Sequence, residues 1–394
     1  MNIGIDARLL HNATGIGRYT RSLFFEFLQR PPADDVYYLF YDRPFPGIPD
    51  SSSCLAPAQV AETDTTPHAL PSHVRVAVAP CATRMLWTQR FVPQLLKRHR
   101  IDVYHGVCNF ELPLRKICGY VVTIHDLVPL FFPRVVPWKH RLFFRIFMKP
   151  AAKTADIILT DSYHSQRDIA KHLRVPKEKI RVTYLGYTPP ASPSEQAPAP
   201  DDILKKHAIS KPYLLFVGIQ EPKKNLERLI EAFVLLRRTS AVKADMQLVL
   251  AGGKGWLSDH LRQLACDLAV EQHVIFTGFV PDDDLPTLYR QAELFVFPSL
   301  YEGFGLPVLE AMTYGVPVVT STASSLPEIA GDAAALVDPH SVEAIRDGMA
   351  AVLGDPPKAA EMRQKGRLQA QKFSWTRTAA QTYKAYQDLY EDRH

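Results

Sequence analysis

The chain has 394 residues, 46% of them apolar and 22% charged, too many for one ordinary α/β domain and enough for two. Its formal charge of +5 is unevenly spread, because residues 1–198 carry 25 Lys and Arg against 16 Asp and Glu while the remainder is net acidic. Five scattered cysteines without a CxxC pair, no apolar run of the ~18 residues a spanning helix needs, and the polar start MNIGIDARLL argue against a disulfide or zinc framework, a membrane span and a signal peptide, and for a cytoplasmic protein.

Short β-rich runs alternate with longer amphipathic stretches, the pattern of parallel sheets with crossover helices. In the first half strands are expected at Asn2–Asp6, Val36–Tyr41, Val74–Ala79, Val103–His105, Tyr120–Ile124 and Ile157–Thr160. Gly15-Ile16-Gly17-Arg18 follows the first strand and stands just before a helix expected over Tyr19–Gln29. Two glycines there let backbone approach a phosphate, or simply make a flexible turn. The spacing Gly-x-Gly-x-x-Thr is not the dinucleotide fingerprint, which disfavours a nicotinamide oxidoreductase. Pro44–Ser72 reads as a long loop.

His125 ends the apolar run YVVTI, where a ring could stabilise developing charge or serve as a structural hydrogen-bonding group. From Phe131 to Lys153, Arg134, Lys139, Arg141, Arg145, Lys149 and Lys153 interleave with Trp138, Phe143, Phe144 and Phe147. Such a helix suits a membrane interface, or packs on a core with a merely solvated polar face. A second basic stretch spans Arg84–Arg100. The basic half raises the possibility of a nucleic-acid module, but no recognised binding motif accompanies it. TPPASPSEQAPAP, Thr188–Pro200, reads as a linker between domains at 1–187 and 201–374, with a C-terminal helix over 375–391 expected to pack back on the first.

Beyond the linker the alternation starts afresh, with strands at Tyr213–Val217, Gln247–Ala251, Val274–Thr277, Leu294–Phe297 and Val316–Thr320. Gly218 leaves the first of these, and Lys223 and Lys224 stand at the start of a helix expected over Leu226–Thr239. Lysine there opposes the helix dipole, so an anionic diphosphate would explain it better than solvation does. Asp282-Asp283-Asp284 reads as a helix N-terminal cap, not as a metal motif. The strongest string is Phe297–Met312: a strand ends, Gly303 and Gly305 turn the chain, Pro307 opens a helix, and Glu302 and Glu310 stand eight positions apart. Carboxylates around exposed N–H groups suit a ligand with both hydroxyls and phosphate.

This string resembles the E-x7-E motif of retaining glycosyltransferase family 4. Gly253-Lys254-Gly255-Trp256, Thr277-Gly278-Phe279-Val280-Pro281 and Ser324-Ser325-Leu326-Pro327-Glu328 are similar to its bacterial mannosyl- and rhamnosyltransferase members. The likeness is thinner in the first half, where it rests on Gly-Ile-Gly-Arg-Tyr and Ile-His-Asp.

It implies a GT-B fold, two Rossmann-like domains with parallel sheets facing a cleft, and a nucleotide-sugar donor. By carry-over Glu310 would hold the ribose, Glu302 the transferred sugar, and the N–H groups around Gly303, Phe304 and Gly305 the sugar or diphosphate. Lys224 would neutralise the leaving diphosphate, which Gly15 and Gly17 also approach. Backbone at Val280 would meet the base, and His125 the sugar near its reacting carbon. The family often has an arginine soon after the phosphate-loop glycine, where this chain has Ile219 and Gln220, so Lys223 or another cation must stand in. The resemblance further implies no metal and no cofactor, and GDP-mannose as first choice ahead of UDP- or dTDP-sugars. A lipid-linked or oligosaccharide acceptor would be reached at the membrane surface through Arg134–Lys153. A sugar-nucleotide epimerase or hydrolase of the same fold is the alternative.

Overall fold

The computed structural model describes the chain apart from residues 13, 30–34, 45–70, 82, 110, 134–137, 190–197, 240–241, 256–257 and 394, and the side chains of Lys139 and His140. Most of the loop expected over Pro44–Ser72, most of the linker, Arg134 and Trp256 thus lie outside the described residues. Two compact units result, Met1–Gly186 with Ser374–His394, and Tyr187–Phe373.

The first unit is built on a seven-stranded parallel sheet in the order β3-β2-β1-β4-β5-β6-β7. The strands are β1 Asn2–Asp6, β2 Val36–Tyr41, β3 Val74–Val78, β4 Val103–Gly106, β5 Gly119–Thr123, β6 Ile157–Thr160 and β7 Ile180–Val182. Strand order reverses between β1 and β4, which pair with Ile3 opposite Val103 and Ile5 opposite His105. Such a switch point leaves a crevice at the carboxyl ends of the strands, because the connections on its two sides run to opposite faces. The central strands β4 and β5 are wholly buried, as a sheet covered on both faces requires.

Helix Gly15–Gln29 turns Leu23, Phe24 and Phe27 inward. Helix Trp375–Glu391 begins at Ser374, whose hydroxyl accepts from the Arg377 N–H, and buries Trp375, Thr378, Ala379, Thr382, Tyr386 and Leu389 in one stripe. That stripe lies on helix Gly15–Gln29 and on β4 to β6, with the Tyr386 ring 6.0 Å from Phe27. Burying Trp375, Tyr386 and Leu389 stabilises the return by about 2 kcal/mol per side chain.

The second unit holds a six-stranded parallel sheet in the order β10-β9-β8-β11-β12-β13. Its strands are β8 Tyr213–Val217, β9 Gln247–Ala251, β10 Val274–Gly278, β11 Leu294–Phe297, β12 Val318–Ser321 and β13 Ala335–Val337. Here the order reverses between β8 and β11. The three-residue edge strands β7 and β13 were not expected, being too short to show a period.

Two expectations need correction. Pro200 belongs to helix Pro200–Lys206 and not to the linker, since proline fits a first helical turn and Asp201 and Asp202 favour that dipole end. Asp284 does stand at the cap position of helix Leu285–Gln291, but its side chain caps nothing. Its carboxylate instead accepts from Lys206 Nζ and His207 Nε2, each at 2.8 Å.

Candidate functional site

At the switch point of the second unit, the loops leaving β8 and β11 meet. After Gly218 the chain makes one tight turn, Pro222–Lys224, and Asn225 takes a left-handed conformation (φ 61°) that launches helix Leu226–Arg237. Asn225 Nδ2 donates to the carbonyls of Pro298 at 3.1 Å and Pro339 at 2.6 Å, and the Leu300 N–H donates to the Lys223 carbonyl at 2.8 Å. The two loops are latched by backbone, so both lysines converge on the carboxylate that follows β11. Lys224 Nζ lies 2.6 Å from Glu302 Oε1 and 4.8 Å above the Phe297 ring centroid, while Lys223 Nζ is 3.6 Å from Glu302 Oε2.

Lys224 and Glu302 are both buried. Burial alone would raise the Glu302 carboxyl, but the two ammonium groups outweigh it and hold the group below its ordinary value. Burial pulls Lys224 below its own ordinary value, against the opposing pull of Glu302. Glu302 is aimed by its backbone. Its N–H donates to Ser324 Oγ at 3.0 Å, and its carbonyl accepts from Ser324 Oγ at 2.6 Å and Ser325 Oγ at 3.0 Å.

Gly305 has φ 111°, and a Cβ there would stand 2.8 Å from Leu326 Cδ2, so glycine is required to start helix Leu306–Thr313. Phe304 packs its ring on Phe373, so only its backbone and that of its glycine neighbours can face a ligand. One turn into the helix Glu310 is buried, and its Oε2 accepts from Tyr289 Oη at 2.8 Å. Val280 is buried just past β10, next to Phe279, which is 59% exposed. The second unit thus gathers Lys224, Glu302, Gly303, Phe304, Gly305 and Glu310 around the β8 and β11 ends, with Val280 on the loop after β10.

In the first unit, Gly15 and Gly17 do not precede the helix but form its first turn. Thr14 caps it, its Oγ1 accepting from the Gly17 N–H at 3.3 Å. The close approach at Gly17 is made by the chain itself, since an added Cβ would fall 1.9 Å from the Asn12 carbonyl oxygen. Gly15 faces open space.

His125 is buried beyond β5 and committed at both ring nitrogens, Nδ1 to Asp161 Oδ2 at 2.8 Å and Nε2 to the Val107 carbonyl at 3.2 Å. The Tyr19 ring meets it edge-on at 4.8 Å. Burial disfavours the charged imidazole, but Asp161 prevails and raises it above its ordinary value. Two acceptors facing two ring nitrogens suit an imidazolium. In this arrangement His125 can act on a neighbour through its charge, while neither ring nitrogen is open to a new partner.

Residues 15–189 match the family described as Glycosyltransferase Family 4, and residues 201–369 match Glycosyl transferases group 1. O-antigen chain mannosyltransferase B of Escherichia coli is 37% identical over 298 residues, 75% of this chain and 76% of that protein. The chain belongs to glycosyltransferase family 4. The serotype-specific mannosyltransferase WbdA of Escherichia coli is 31% identical over 68% of this chain, which spans only 33% of that longer protein. Sucrose-phosphate synthase of Thermosynechococcus elongatus superposes over all of both chains with a TM-score of 0.74 at 20% identity, a likeness of fold: both Rossmann-like halves are those of GT-B.

For a family 4 glycosyltransferase, the residues that aim the site were the ones sequence reasoning missed. Ser324 was quoted only as part of a string and Asn225 was given no role, although their contacts place Glu302 and Lys224. Asp161, the acid at the end of β6, carried a readable signal in its strand-end position. Tyr289 carried none, because nothing in a helix sequence says which side chain will meet Glu310. Among the described residues no three His, Cys, Asp or Glu side chains gather as a metal site.

Proposed function

We propose that this glycosyltransferase moves mannose from GDP-mannose to a growing bacterial polysaccharide, with retention and without a metal ion. The observation that carries the transfer reading is the convergence of Lys223 and Lys224 on Glu302 at the β8/β11 switch point, with Glu310 on the helix that follows. Two ammonium groups held by a buried carboxylate supply the positive charge that a departing diphosphate needs. Binding of the donor exchanges Glu302 for phosphate as their partner and frees the carboxylate for sugar hydroxyls. Glu310 is assigned the ribose, and the backbone of Gly303, Phe304 and Gly305 the diphosphate or sugar.

In the reaction the bond from the sugar's anomeric carbon to phosphate oxygen breaks, and a bond from that carbon to an acceptor hydroxyl forms on the same face. The acceptor proton passes to the departing phosphate oxygen. Lys224 and Lys223 balance the charge on that oxygen. His125 is assigned electrostatic support of the reacting carbon, Gly15 and Gly17 the phosphates, and Val280 the base. Mannose is favoured because the relatives quoted above are mannosyltransferases.

A lipid-linked acceptor at a membrane surface is supported by helix Trp138–Thr154. Its inner face buries Phe144, Met148, Ala151 and Ala152. Its outer face exposes Trp138 (64%), Leu142, Phe143 and Ile146 (49%) beside Arg145 and Lys153. An exposed apolar stripe flanked by cations suits the boundary of an anionic bilayer. No helix of the described residues is long and apolar enough to cross one.

The test is thermal stabilisation by nucleotides and nucleotide sugars in the presence of EDTA. GDP and GDP-mannose are expected to raise the melting temperature selectively. Stabilisation by UDP or dTDP alone would replace the donor, and release of free mannose without an acceptor would turn the reading to a hydrolase.

A further inference from the structure

Alternation along β4 and β5 sends Tyr104, Tyr120, Val122 and Ile124 to one face of the first sheet, where they join a single apolar cluster. His105 and Thr123 have the opposite parity and meet helices Gly15–Gln29 and Trp375–Glu391. A polar chain crosses that face. Tyr386 Oη lies 2.6 Å from His105 Nδ1, His105 Nε2 lies 2.8 Å from Thr123 Oγ1, and Thr123 Oγ1 lies 3.0 Å from Tyr19 Oη. None of the four side chains is more than 1% exposed. The Tyr19 ring, at the end of the chain, meets His125 with centroids 4.8 Å apart and planes at 81°, and meets Trp375 at 6.3 Å.

Apolar side chains of the same shape would avoid the desolvation cost of four core polar groups, and what a satisfied chain adds is chiefly rigidity. Burial and the charge on His125 hold the His105 ring down to about 3, so it is neutral and carries one ring proton. It donates to one hydroxyl and accepts from the other, and losing either hydroxyl leaves a buried ring nitrogen unpaired. Each member thus fixes the next, and the last is the ring against His125. Asp161 and the Val107 carbonyl hold the two nitrogens of His125. Tyr19 packs on that imidazole and keeps water from competing for both contacts.

We infer that Tyr19 is a positioning residue for His125, and that Tyr386, His105 and Thr123 hold Tyr19 in place, so that docking of helix Trp375–Glu391 sets the geometry of His125. The effect on turnover rests on the electrostatic role proposed for His125, whereas the geometry is read without turnover.

The experiment is proton NMR of the full chain, reading the downfield Nδ1–H that His125 donates to Asp161, identified by its loss in His125→Gln. Initial rates of mannosyl transfer from GDP-mannose to α-linked mannobiose are measured alongside. In Tyr19→Phe and Thr123→Val that proton is expected to exchange with water about tenfold faster and kcat to fall about tenfold, with donor KM changed by less than about twofold. Tyr386→Phe should move both in the same direction. Thr123→Ser keeps the hydroxyl and loses the methyl, so it should stay closer to wild type than Thr123→Val, the reverse of what packing alone dictates. Tyr383→Phe is the control. Its hydroxyl donates to Asp35 Oδ2 at 2.7 Å from the same helix but outside the chain, and its loss should leave the proton and kcat unchanged. Three results would overturn the inference: an unchanged proton in both Tyr19→Phe and Thr123→Val, Thr123→Ser as damaging as Thr123→Val, or Tyr383→Phe as damaging as Tyr386→Phe. If a phenylalanine variant does not fold, the Thr123 pair decides by itself. A faster-exchanging proton with kcat intact would sink the electrostatic role of His125 alone and leave its positioning by Tyr19 standing.

Discussion

Replacing Lys224 by Met removes the ammonium 2.6 Å from Glu302 and leaves Lys223 at 3.6 Å as the carboxylate's remaining cation. At an effective dielectric constant of about 20, unit charges at those two separations attract by about 6 and about 5 kcal/mol. Stripping one partner from a buried pair typically costs about 3–5 kcal/mol, and the remaining Lys223 places this case near 3 kcal/mol. Loss of the contact with Phe297 adds a smaller increment of about 0.5–1 kcal/mol.

The pH dependence gives the sign. Glu302 is held below the ordinary value of 4.5, so its pairing stabilises the fold above that pH and the contribution is lost as pH falls through the native value. The gap between wild type and Lys224→Met, read from urea unfolding of the second unit, should therefore persist from pH 7 down to the ordinary carboxylate range and narrow below pH 4.5. Adding Glu302→Gln to the variant should restore part of the lost stability, because the buried group that lost its nearer cation is then neutral. Transfer of the sugar should be lost in both. A neutral Lys224→Met, or a double variant no more stable than the single one, would refute the ion-pair account.

Further expectations follow from individual contacts. Gly17→Ala should destabilise by several kcal/mol, since its Cβ would fall on the Asn12 carbonyl, whereas Gly15→Ala should leave the melting temperature nearly unchanged; equal effects would remove the packing explanation for Gly17. His125 is raised above 6.5, so its charge contributes stability that is complete below that pH and lost as pH rises through the native value. Asp161→Asn should flatten this dependence and lower kcat more than it alters donor KM, which a pH profile of both constants checks. Tyr289→Phe should cost about 1 kcal/mol through the hydrogen bond to Glu310 and change GDP affinity; unchanged affinity would separate Glu310 from the ribose. Exchanging Leu142 and Ile146 for Ser should reduce binding to anionic vesicles without lowering stability, since both side chains are exposed.

The sequence alone determined the two-sheet plan and the location of the motifs at strand ends. Short continuous apolar runs such as Leu294–Phe297 and Tyr213–Val217 suit central strands when turn residues bound them, and that pattern is local information. The Glu302–Glu310 spacing and the paired lysines were legible for the same reason, since each motif lies within one turn and one helix. Residue pairs that lie far apart in sequence were not legible. Ser324 against Glu302, Asp161 against His125, and Arg8 and Arg84 against Glu111 are set by which strands become neighbours. Strand order is chosen by the burial of whole sheets, so only the tertiary structure could decide which carboxylates face which cations, and which of them stand at the two switch points.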